Sequence, residues 1–342
     1  MLTDFFSTIR GYLLEYLPNQ KCLSANTVKS HKNTLNLFVA YLRNEKKVKV
    51  DKIKFSTIDR QVVLDFLSWL VNSRGCSSAS RNQRLSVLRT FLDYAGQKDC
   101  THIALELSVK KIPAAKHSKN TVEFLSENAL KTLLAQPDTN RMNGLRDRFF
   151  MTLMYDSAAR VSELLDMKVC DLKIDTKHPI AYLRGKGNKV RCVPLMPKTV
   201  EHCKHYLRLF HQNADVNSND YLFYTTIHDC RNRMTAAAVG AFMKKYGEMA
   251  KISSPEVPER VHPHQLRHTR AIHLYREGTP LVLVGEYLGH VNPATTKVYA
   301  YADTEMKRKA LEKADKGRSV TYEMPPMWQD DEDMILKLSG LA

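Results

Sequence analysis

The sequence predicts a mainly α-helical protein of two domains with a small β-sheet, and three observations lead to this prediction. The chain has 342 residues, about twice the length of an average domain. Apolar residues recur at helical spacing along most of it, whereas two neighbouring segments show the alternation typical of strands. Residues 109–121 read VKKIPAAKHSKNT, a basic stretch without an apolar period, which we interpret as the linker between the domains.

The charge of the chain indicates what kind of partner it binds. Lys and Arg number 52 against 36 Asp and Glu, a formal net charge of +16. Such an excess predicts a polyanionic partner such as nucleic acid. The last 24 residues hold five acidic residues and one lysine, a local charge of −4, so the preceding 318 residues carry +20.

Several classes of protein are disfavoured by composition. No run of 18 apolar residues exists, and the start MLTDFFSTIR lacks the order of a signal peptide. We therefore expect a soluble, cytoplasmic protein with no membrane partner. The seven cysteines are scattered and never form a C-x-x-C pair, which disfavours a disulfide framework or a zinc site.

The first third is predicted to be helical throughout. Residues 24–44 show apolar spacings of three and four, with Ser24, Asn26 or Thr27 as the N-cap, and residues 59–73 follow the same pattern. A third helix begins near Ser77. The exposed side of this third helix is basic. A basic helix face is more often only a solvated surface, but because the whole chain has a large positive charge we interpret this face as a contact to DNA phosphates. The predicted DNA contacts are Arg81, Arg84 and Arg89 on the exposed side of the third helix, and Lys110, Lys111, Lys116 and Lys119 beyond it.

The second half is predicted to begin with a helix capped by Ser126 and to continue with helical patterns. The period then changes to two, and residues 180–184 and 190–195 flank a glycine-rich turn, which predicts a β-hairpin. Helical patterns return at 263–276 and 281–288. The segment 334–341 is apolar and follows an acidic cluster, so we interpret it as a docking segment.

Two basic residues in the second half could act on phosphate, and each has a simpler interpretation. Arg160 stands where two helical patterns meet, and alone it is more simply a surface or ion-paired arginine. Lys186 lies in the hairpin turn, which does not match the P-loop pattern. It is either a solvated turn lysine or a proton donor that reaches into a groove.

The segment 262–269 reads HPHQLRHT and places His264, Arg267 and His268 on one helical face. Two histidines four residues apart can bind zinc, but Gln265 stands where a glutamate base would be, and no nearby carboxylate supplies a third ligand. A metal site is therefore disfavoured. Histidine and arginine on one face suit a phosphodiester better.

The segment 288–299 reads LGHVNPATTKVY and adds His290 and Tyr299. Alone, His290 would be a hydrogen-bonded core histidine and Tyr299 a packing residue. With the preceding segments they complete a set of arginines, histidines, a lysine and a tyrosine. That set suits nucleophilic attack on phosphate by a phenol.

In order, residue type and local context, these segments resemble the tyrosine recombinase (phage integrase) family, which includes Xer-type recombinases. The resemblance spans about 122–301 and includes the step of nine residues from His290 to Tyr299. It implies an α-helical SAM-like N-terminal DNA-binding domain plus a mixed α/β tyrosine recombinase catalytic domain. The catalytic residues that it implies are Arg160, Lys186, His264, Arg267, His290 and Tyr299.

The resemblance also implies how the chain is divided. The expected parts are a helical core-binding domain at 1–112, a linker at 113–121, a catalytic domain at 122–318 and an acidic tail at 319–342.

Three features of the sequence depart from the family pattern. Ala158 stands two residues before Arg160, where the family usually has glycine, and because alanine is also small we expect the turn to be kept. Tyr301 competes with Tyr299 as the nucleophile, but the family spacing favours Tyr299. The segment 198–234 is long and polar, and its helices are not assigned.

The family chemistry requires neither a cofactor nor a metal. By resemblance, Tyr299 attacks the scissile phosphate, forms a 3′-phosphotyrosine link and releases a 5′-hydroxyl. Arg160 and Arg267 neutralise the non-bridging oxygens, whose charge concentrates in the transition state.

Three further residues take roles in proton transfer and phosphate binding by the same resemblance. Lys186 protonates the departing 5′-oxygen. His264 is the acid-base partner of the nucleophile, and His290 donates a hydrogen bond to the phosphate.

The implied partners are double-stranded DNA with a specific recombination site and further copies of the chain. The copies would form a tetramer on DNA, exchange strands through a Holliday junction and dock through their C-terminal tails, with an accessory recombinase as a further implied partner. Because 198–234 and the tail exceed a minimal Xer-like chain, we favour a mobile-element enzyme over Xer-type resolution of chromosome or plasmid dimers. A type IB topoisomerase, a metal-dependent nuclease and a non-catalytic DNA-binding protein stay open as alternatives.

Overall fold

Helices joined by short turns predominate in the described part of the chain, and two small antiparallel sheets are found in its second half. The computed structural model describes residues 3–116, 122–185, 187, 189–212, 217–290, 292–302, 308, 312 and 331–341. The chain divides into two compact units, Met1–Lys119 and Asn120–Ala342. No helix within the described ranges is long and apolar enough to cross a membrane.

The described secondary structure of the first unit is helical. Ser24, Asp59 and Ser77 each accept a hydrogen bond from the backbone N–H three residues further on, which satisfies a free donor at a helix start. The three helices predicted after residue 23 are thereby confirmed. The elements are α1 (Asp4–Gly11), a π-helical segment (Tyr12–Gln20), α2 (Ala25–Asn44), α3 (Arg60–Asn72), α4 (Ser78–Lys98) and α5 (Ile103–Lys110), with 3-10 turns at Val50–Lys52, Phe55–Thr57 and Cys100–His102.

Helix α4 packs against α2, α3 and α5 in the core of this unit. The core is rich in aromatic rings, and the ring of Phe91 makes edge contacts with Phe5 and Tyr12 at centroid distances of 5.7 and 5.3 Å. Val109 and Ile112 are fully buried in the same core. The interpretation of 109–121 as the linker therefore starts too early, because residues 109–112 pack in the first unit, whereas the linker at 113–121 stays a prediction.

The three arginines predicted on the exposed side of α4 are half-buried. Arg84 donates to the carbonyl oxygen of Ser80 at 3.4 Å, and Arg89 donates to the carbonyl oxygen of Ile112. The sequence pattern identified the polar face of α4 but not the following segment that covers part of it. Of the predicted contact lysines, Lys110, Lys111 and Lys116 are exposed, and Lys119 lies outside the described residues.

The second unit combines helices with two sheets. Helix α7 packs against α9 and α11, and α10 packs against α6 and α8. The described elements are α6 (Glu127–Ala135), α7 (Met142–Ser157), α8 (Val161–Leu165), β1 (Leu172–Lys173), β2 (Ile180–Arg184), β3 (Val190–Pro194), α9 (Pro197–Phe210), β4 (Tyr224–Ile227), β5 (Cys230–Arg233), α10 (Ala236–Ser253), α11 (Pro263–Arg276), α12 (Leu281–Leu288), α13 (Lys297–Ala302) and α14 (Glu332–Leu338) in the acidic tail, with 3-10 turns at Val169–Asp171 and Pro293–Thr295.

Strands β1, β2 and β3 form an antiparallel sheet in that order, which confirms the predicted hairpin. Leu183 pairs with Arg191, and beyond the last pair the N–H of Gly185 donates to the carbonyl oxygen of Lys189 at 2.7 Å. Lys186 lies in this turn and is outside the described residues.

The segment 198–234, which the sequence left unassigned, contains most of α9 and a second hairpin, β4–β5. Helix α9 buries Cys203, Tyr206 and Phe210, so its apolar residues do recur at spacings of three and four. The many polar residues between them conceal this pattern.

Two helices of the second unit end in the left-handed backbone region. Helix α7 ends at Ala158 with φ +47°, and α12 ends at Gly289 with φ +64°. The expected turn at Ala158 is therefore kept, although an alanine there costs about 1 kcal/mol more than a glycine. Helix α11 packs against both α7 and α12.

Candidate active site

Arg267 on α11 lies at the ends of two neighbouring helices. Its guanidinium donates to the carbonyl oxygen of Ala158 at 2.7 Å and to that of Leu288 at 2.6 Å, and the side chain is buried. Carbonyls at helix C-termini lack helical partners and carry partial negative charge, so a cation is favoured there. Burial, followed by the charges of Arg160 and Arg191, lowers the pKa of Arg267 to about 10. The residue remains charged at neutral pH.

Arg160 follows the turn after α7 and is held by the first helical turn of α8. Its guanidinium donates to Oε1 of Glu163 at 2.7 Å, and its backbone N–H donates to Oε2 at 2.8 Å. A weaker contact of 3.5 Å reaches the carbonyl oxygen of Gly289. About a third of the side chain is exposed, so Arg160 keeps donors free for a ligand.

Glu163 is the buried carboxylate between two arginines. Burial alone would raise its pKa, but hydrogen bonds from Arg191 and from the backbone of Arg160 outweigh burial and hold the pKa below its ordinary value. Glu163 therefore stays ionised and fixes both guanidinium groups.

The hydroxyl of Tyr299 lies 2.9 Å from Nδ1 of His268. Tyr299 is 1% exposed, and burial raises the pKa of its phenol, while the charges of Arg267 and Arg160 oppose that rise. Burial also lowers the pKa of His268 to about 4, so its imidazole is neutral at pH 7. The phenol therefore donates and the imidazole nitrogen accepts.

His264, which the sequence favours as the acid-base partner of Tyr299, is exposed one turn before His268. Its ring stacks on that of His268 at 6.2 Å, and no hydrogen bond to Tyr299 is found for it within the described part of the chain. The phenol contacts His268 in the structure, and the role expected of His264 stays a prediction. Helical spacing put both histidines on one face but could not tell which one reaches the phenol.

His290 also lies beside Tyr299, with the two rings nearly parallel at a centroid distance of 6.4 Å. Its Nδ1 lies 2.9 Å from Oγ1 of Thr296. Its backbone N–H donates to the carbonyl oxygen of Gly285 at 3.0 Å, a hydrogen bond that closes the C-terminal end of α12. Burial, with the charges of Arg267 and Arg160, lowers the pKa of His290 to about 4.

The sequence did not identify Arg191, which lies on β3. It donates from Nη1 and Nη2 to the two oxygens of Glu163, each at 2.8 Å, and from Nε to the carbonyl oxygen of Tyr287 at 3.1 Å. One feature of the sequence could have identified Arg191. Arg191 is two residues before the buried Val193 and shares its inward face, where a charge is unusual.

A cleft of about 750 Å³ opens over these side chains. Its lining includes Arg160, Arg191, Gly289 and His290. The backbone places α13 and its Tyr299 beside this region, whereas the side chains of Lys186 and Tyr301 are outside the described residues. Among the residues that are described, no cluster of three or more His, Cys, Asp or Glu is placed to hold a metal ion.

Comparisons with known families match both units. A model of the phage integrase family matches residues 123–306, and a model of the phage integrase N-terminal SAM-like domain matches residues 10–99. The predicted fold class is thereby confirmed.

Similar proteins align over most of the chain. The y4rC protein of Sinorhizobium fredii, named as an integrase/recombinase, is 29% identical over 97% of both chains. The tyrosine recombinase XerD of Staphylococcus epidermidis is 29% identical over 89% of this chain and 97% of XerD.

Two solved structures share the fold. The XerH recombinase bound to a palindromic difH substrate in a post-cleavage complex is 21% identical, with a TM-score of 0.66, over 85% of this chain and 81% of that one. The Tn1549 transposon integrase in complex with a circular intermediate DNA is 15% identical, with a TM-score of 0.66, over 90% of this chain and 99% of that one.

Proposed function

The chain belongs to the phage integrase family of tyrosine recombinases, and from that premise we propose that it cuts and rejoins duplex DNA at a specific site through a 3′-phosphotyrosine link to Tyr299. The observation that carries the proposal is the contact between the Tyr299 hydroxyl and the neutral His268, beside two arginines. A phenol is a weak nucleophile until a base takes its proton, and His268 is within reach to do so.

Each cleavage exchanges one ester for another. The oxygen of Tyr299 forms a bond to the scissile phosphorus, the bond from phosphorus to the 5′-oxygen breaks, and that oxygen leaves with a proton as a hydroxyl. Since the phosphodiester energy is kept in the new bond, rejoining needs no nucleotide triphosphate. The 5′-hydroxyl of a partner strand reverses the step.

Arg160 and Arg267 would stabilise the charge that develops on the two non-bridging oxygens. Their support differs, since Arg267 is buried and bound to two carbonyls, while Arg160 is partly exposed and bound to Glu163. This arrangement supports a preorganised site, in which the donors do not have to reorient during the reaction.

Lys186 keeps the role that the family resemblance implies, and the histidines are assigned by their contacts. Lys186 would protonate the leaving 5′-oxygen. His268 takes the acid-base role at the nucleophile, and the exposed His264 joins His290 in donating to the phosphate. Desolvation and then the charges of Arg267, His262 and Arg160 lower the pKa of His264, which supports its closeness to the phosphate-binding arginines.

Recombination requires two duplexes and four active sites, so we propose a tetramer on DNA that exchanges strands through a Holliday junction. The tail helix α14 supports this, because its apolar side chains are exposed and available to a neighbouring copy: Met334, Ile335, Leu336 and Leu338. Docking of α14 on a neighbouring copy of the chain would bury these four side chains.

The division of labour along the chain is also proposed. Residues 1–112 would bind DNA, 113–121 would link the domains, 122–318 would carry the chemistry, and 319–342 would dock. The exposed Lys110, Lys111 and Lys116 are the better candidates for phosphate contacts, since Arg89 is engaged within its own unit. Their contribution would fall steeply with added salt.

We propose that the biological role is recombination of a mobile element. The integrase/recombinase y4rC aligns over 97% of this chain, whereas XerD aligns over 89%. The length by which this chain exceeds XerD is therefore shared with y4rC, which supports the proposed role. Resolution of chromosome or plasmid dimers is the alternative. The sequence of the DNA recovered from covalent complexes in cells distinguishes the two roles.

A nicked suicide substrate tests the proposed chemistry. The wild-type protein should form a covalent protein–DNA adduct in the presence of EDTA, whereas Tyr299→Phe should form none. An adduct-free cleavage that EDTA abolishes would identify a metal-dependent nuclease, and binding without cleavage would identify a non-catalytic DNA-binding protein. Relaxation of supercoiled DNA without a defined site would identify a topoisomerase.

A further inference from the structure

We propose that Arg191 is a positioning residue that holds the β2–β3 hairpin against α8 and α12, and that proton donation by Lys186, which follows Gly185 in the sequence of this hairpin, depends on it. The inference rests on the proposed function and goes beyond it, because Arg191 is given no contact with DNA. Its guanidinium joins three parts of the site. It binds Glu163 on α8 through two hydrogen bonds and the carbonyl oxygen of Tyr287 on α12 through a third.

Each nitrogen of the Arg191 guanidinium already donates to the protein, and 14% of the side chain is exposed. The paired bonds to Glu163 use the fork geometry that only arginine offers. Arg191 is therefore unsuited to the role of Arg160, which keeps exposed donors. What Arg191 fixes instead is the strand from which it projects.

The packing around Arg191 supports the same role. A methyl group on Gly289 would lie 3.1 Å from Cδ and 3.2 Å from Nη1 of Arg191, so the glycine leaves room for the arginine. A methyl group on Gly185, at the base of the hairpin turn, would lie 3.3 Å from Oε1 of Glu163. The turn, the carboxylate and Arg191 are thus packed as one unit.

The hairpin connects Arg191 with Gly185, the residue before Lys186 in the sequence. Arg191 faces Leu183 across the ladder, the next pair is Arg184 with Val190, and the Gly185–Lys189 hydrogen bond closes the turn. Lys186 follows Gly185 directly. A misplacement of about 1 Å in a catalytic group can cost about 10²-fold in rate. We therefore expect loss of Arg191 to impair proton donation by Lys186.

The nature of the leaving group provides a test that a merely structural role does not pass. Two nicked substrates would be compared, one with the normal 5′-oxygen at the scissile phosphate and one with sulfur in its place. A thiolate is a far better leaving group than an alkoxide, because a thiol has a pKa of about 8.5. The departing sulfur therefore needs no protonation. The readout is the first-order rate of adduct formation.

Arg191→Met should form the adduct about 10²-fold more slowly than the wild type on the oxygen substrate, and within about threefold of it on the sulfur substrate. Lys186→Ala should show the same pattern, and Arg160→Ala should be slow on both substrates. The matched control is Arg184→Met. It removes an arginine–carboxylate pair with Asp171 from the same hairpin, outside the cleft, and should change neither rate.

Arg191→Lys controls for a folding defect in Arg191→Met. It keeps a positive charge beside Glu163 but cannot make the paired hydrogen bonds of a guanidinium. It should lose about tenfold on the oxygen substrate and recover on the sulfur substrate. The inference would be overturned if the two Arg191 variants lost equal rate on both substrates, or if they reacted at the normal rate on the oxygen substrate. It would also be overturned if the sulfur substrate did not restore the rate of Lys186→Ala. If the wild type forms no adduct on either substrate, the proposed function itself fails, and the inference with it.

Discussion

The Tyr299 hydroxyl donates a hydrogen bond to Nδ1 of His268 across 2.9 Å, and the two residues come from different helices, α13 and α11. The bond depends on the protonation of both partners, because burial raises the pKa of the phenol and lowers that of the imidazole. A neutral acceptor beside a protonated nucleophile is the arrangement that general-base catalysis requires. It connects the buried tyrosine to the helix that also carries Arg267.

Replacing His268 tests this contact. Gln at position 268 can accept the hydrogen bond but cannot take the proton, so His268→Gln should slow adduct formation by about 10²-fold or more. His273→Gln is the matched control, since His273 lies on the same helix and its Nδ1 makes the same type of bond, 2.9 Å from the hydroxyl of Tyr155. The control should react within about threefold of the wild type. Normal cleavage by His268→Gln, with loss in His264→Gln, would return the acid-base role to His264.

Substitution of the two phosphate-binding arginines should lower the free energy of unfolding by different amounts. Arg267→Lys leaves the carbonyls of Ala158 and Leu288 poorly paired in a buried site and should lower the free energy of unfolding by about 2 kcal/mol. Arg160→Lys should cost less than about 1 kcal/mol, because the residue is partly exposed and Glu163 keeps Arg191. Both should slow adduct formation by about 10²-fold. Urea denaturation at one pH measures the difference, and equal losses of stability would contradict it.

Stability should fall as the pH is lowered from 7 to 5. The folded state holds the pKa of His268 and His290 at about 4, below the ordinary value of about 6.5, so the unfolded state takes up protons first as the pH falls. Allowing for partial solvent exposure, each histidine should contribute about 1 kcal/mol to the loss. Denaturant titrations of the wild type and of a His268→Gln/His290→Gln variant measure this. The variant should show the smaller pH dependence, and an identical dependence would exclude these residues.

The tail should be needed for assembly but not for cleavage. Ile335→Asp with Leu338→Asp places charges on the exposed apolar side chains of α14 and should reduce protein–DNA tetramers on native gels by at least about tenfold. Adduct formation on a single nicked site should be unchanged. Lys337→Gln, on the same helix, serves as the control. Loss of both assembly and cleavage would show that the tail acts within its own copy.

Local signals in the sequence were enough to predict the helices and the first hairpin. Apolar residues at helical spacing marked the three helices after residue 23, and the change of period from helical to alternating marked β2 and β3. The interpretation of 109–121 as the linker began too early, because its basic composition concealed two buried residues, Val109 and Ile112. Composition describes the surface of a segment better than the few side chains that anchor it.

Contacts between distant residues were beyond the reach of local patterns. Arg191 binds Glu163, 28 residues away, and Tyr299 meets His268 across 31 residues. The spacing of motifs gave the candidate residues, yet the choice between His264 and His268 depends on how α13 packs on α11. Ala158 shows the same limit, because its left-handed backbone becomes intelligible only when its carbonyl is seen to bind Arg267.

The covalent intermediate itself provides the most direct test of the account. The adduct trapped on a nicked substrate would be digested with trypsin and nuclease, and mass spectrometry would identify the modified residue and the DNA end that it carries. We predict a nucleotide joined through its 3′-phosphate to Tyr299. Attachment to Tyr301, or a link to a 5′-phosphate, would contradict the assignment of the nucleophile and the mechanism built on it.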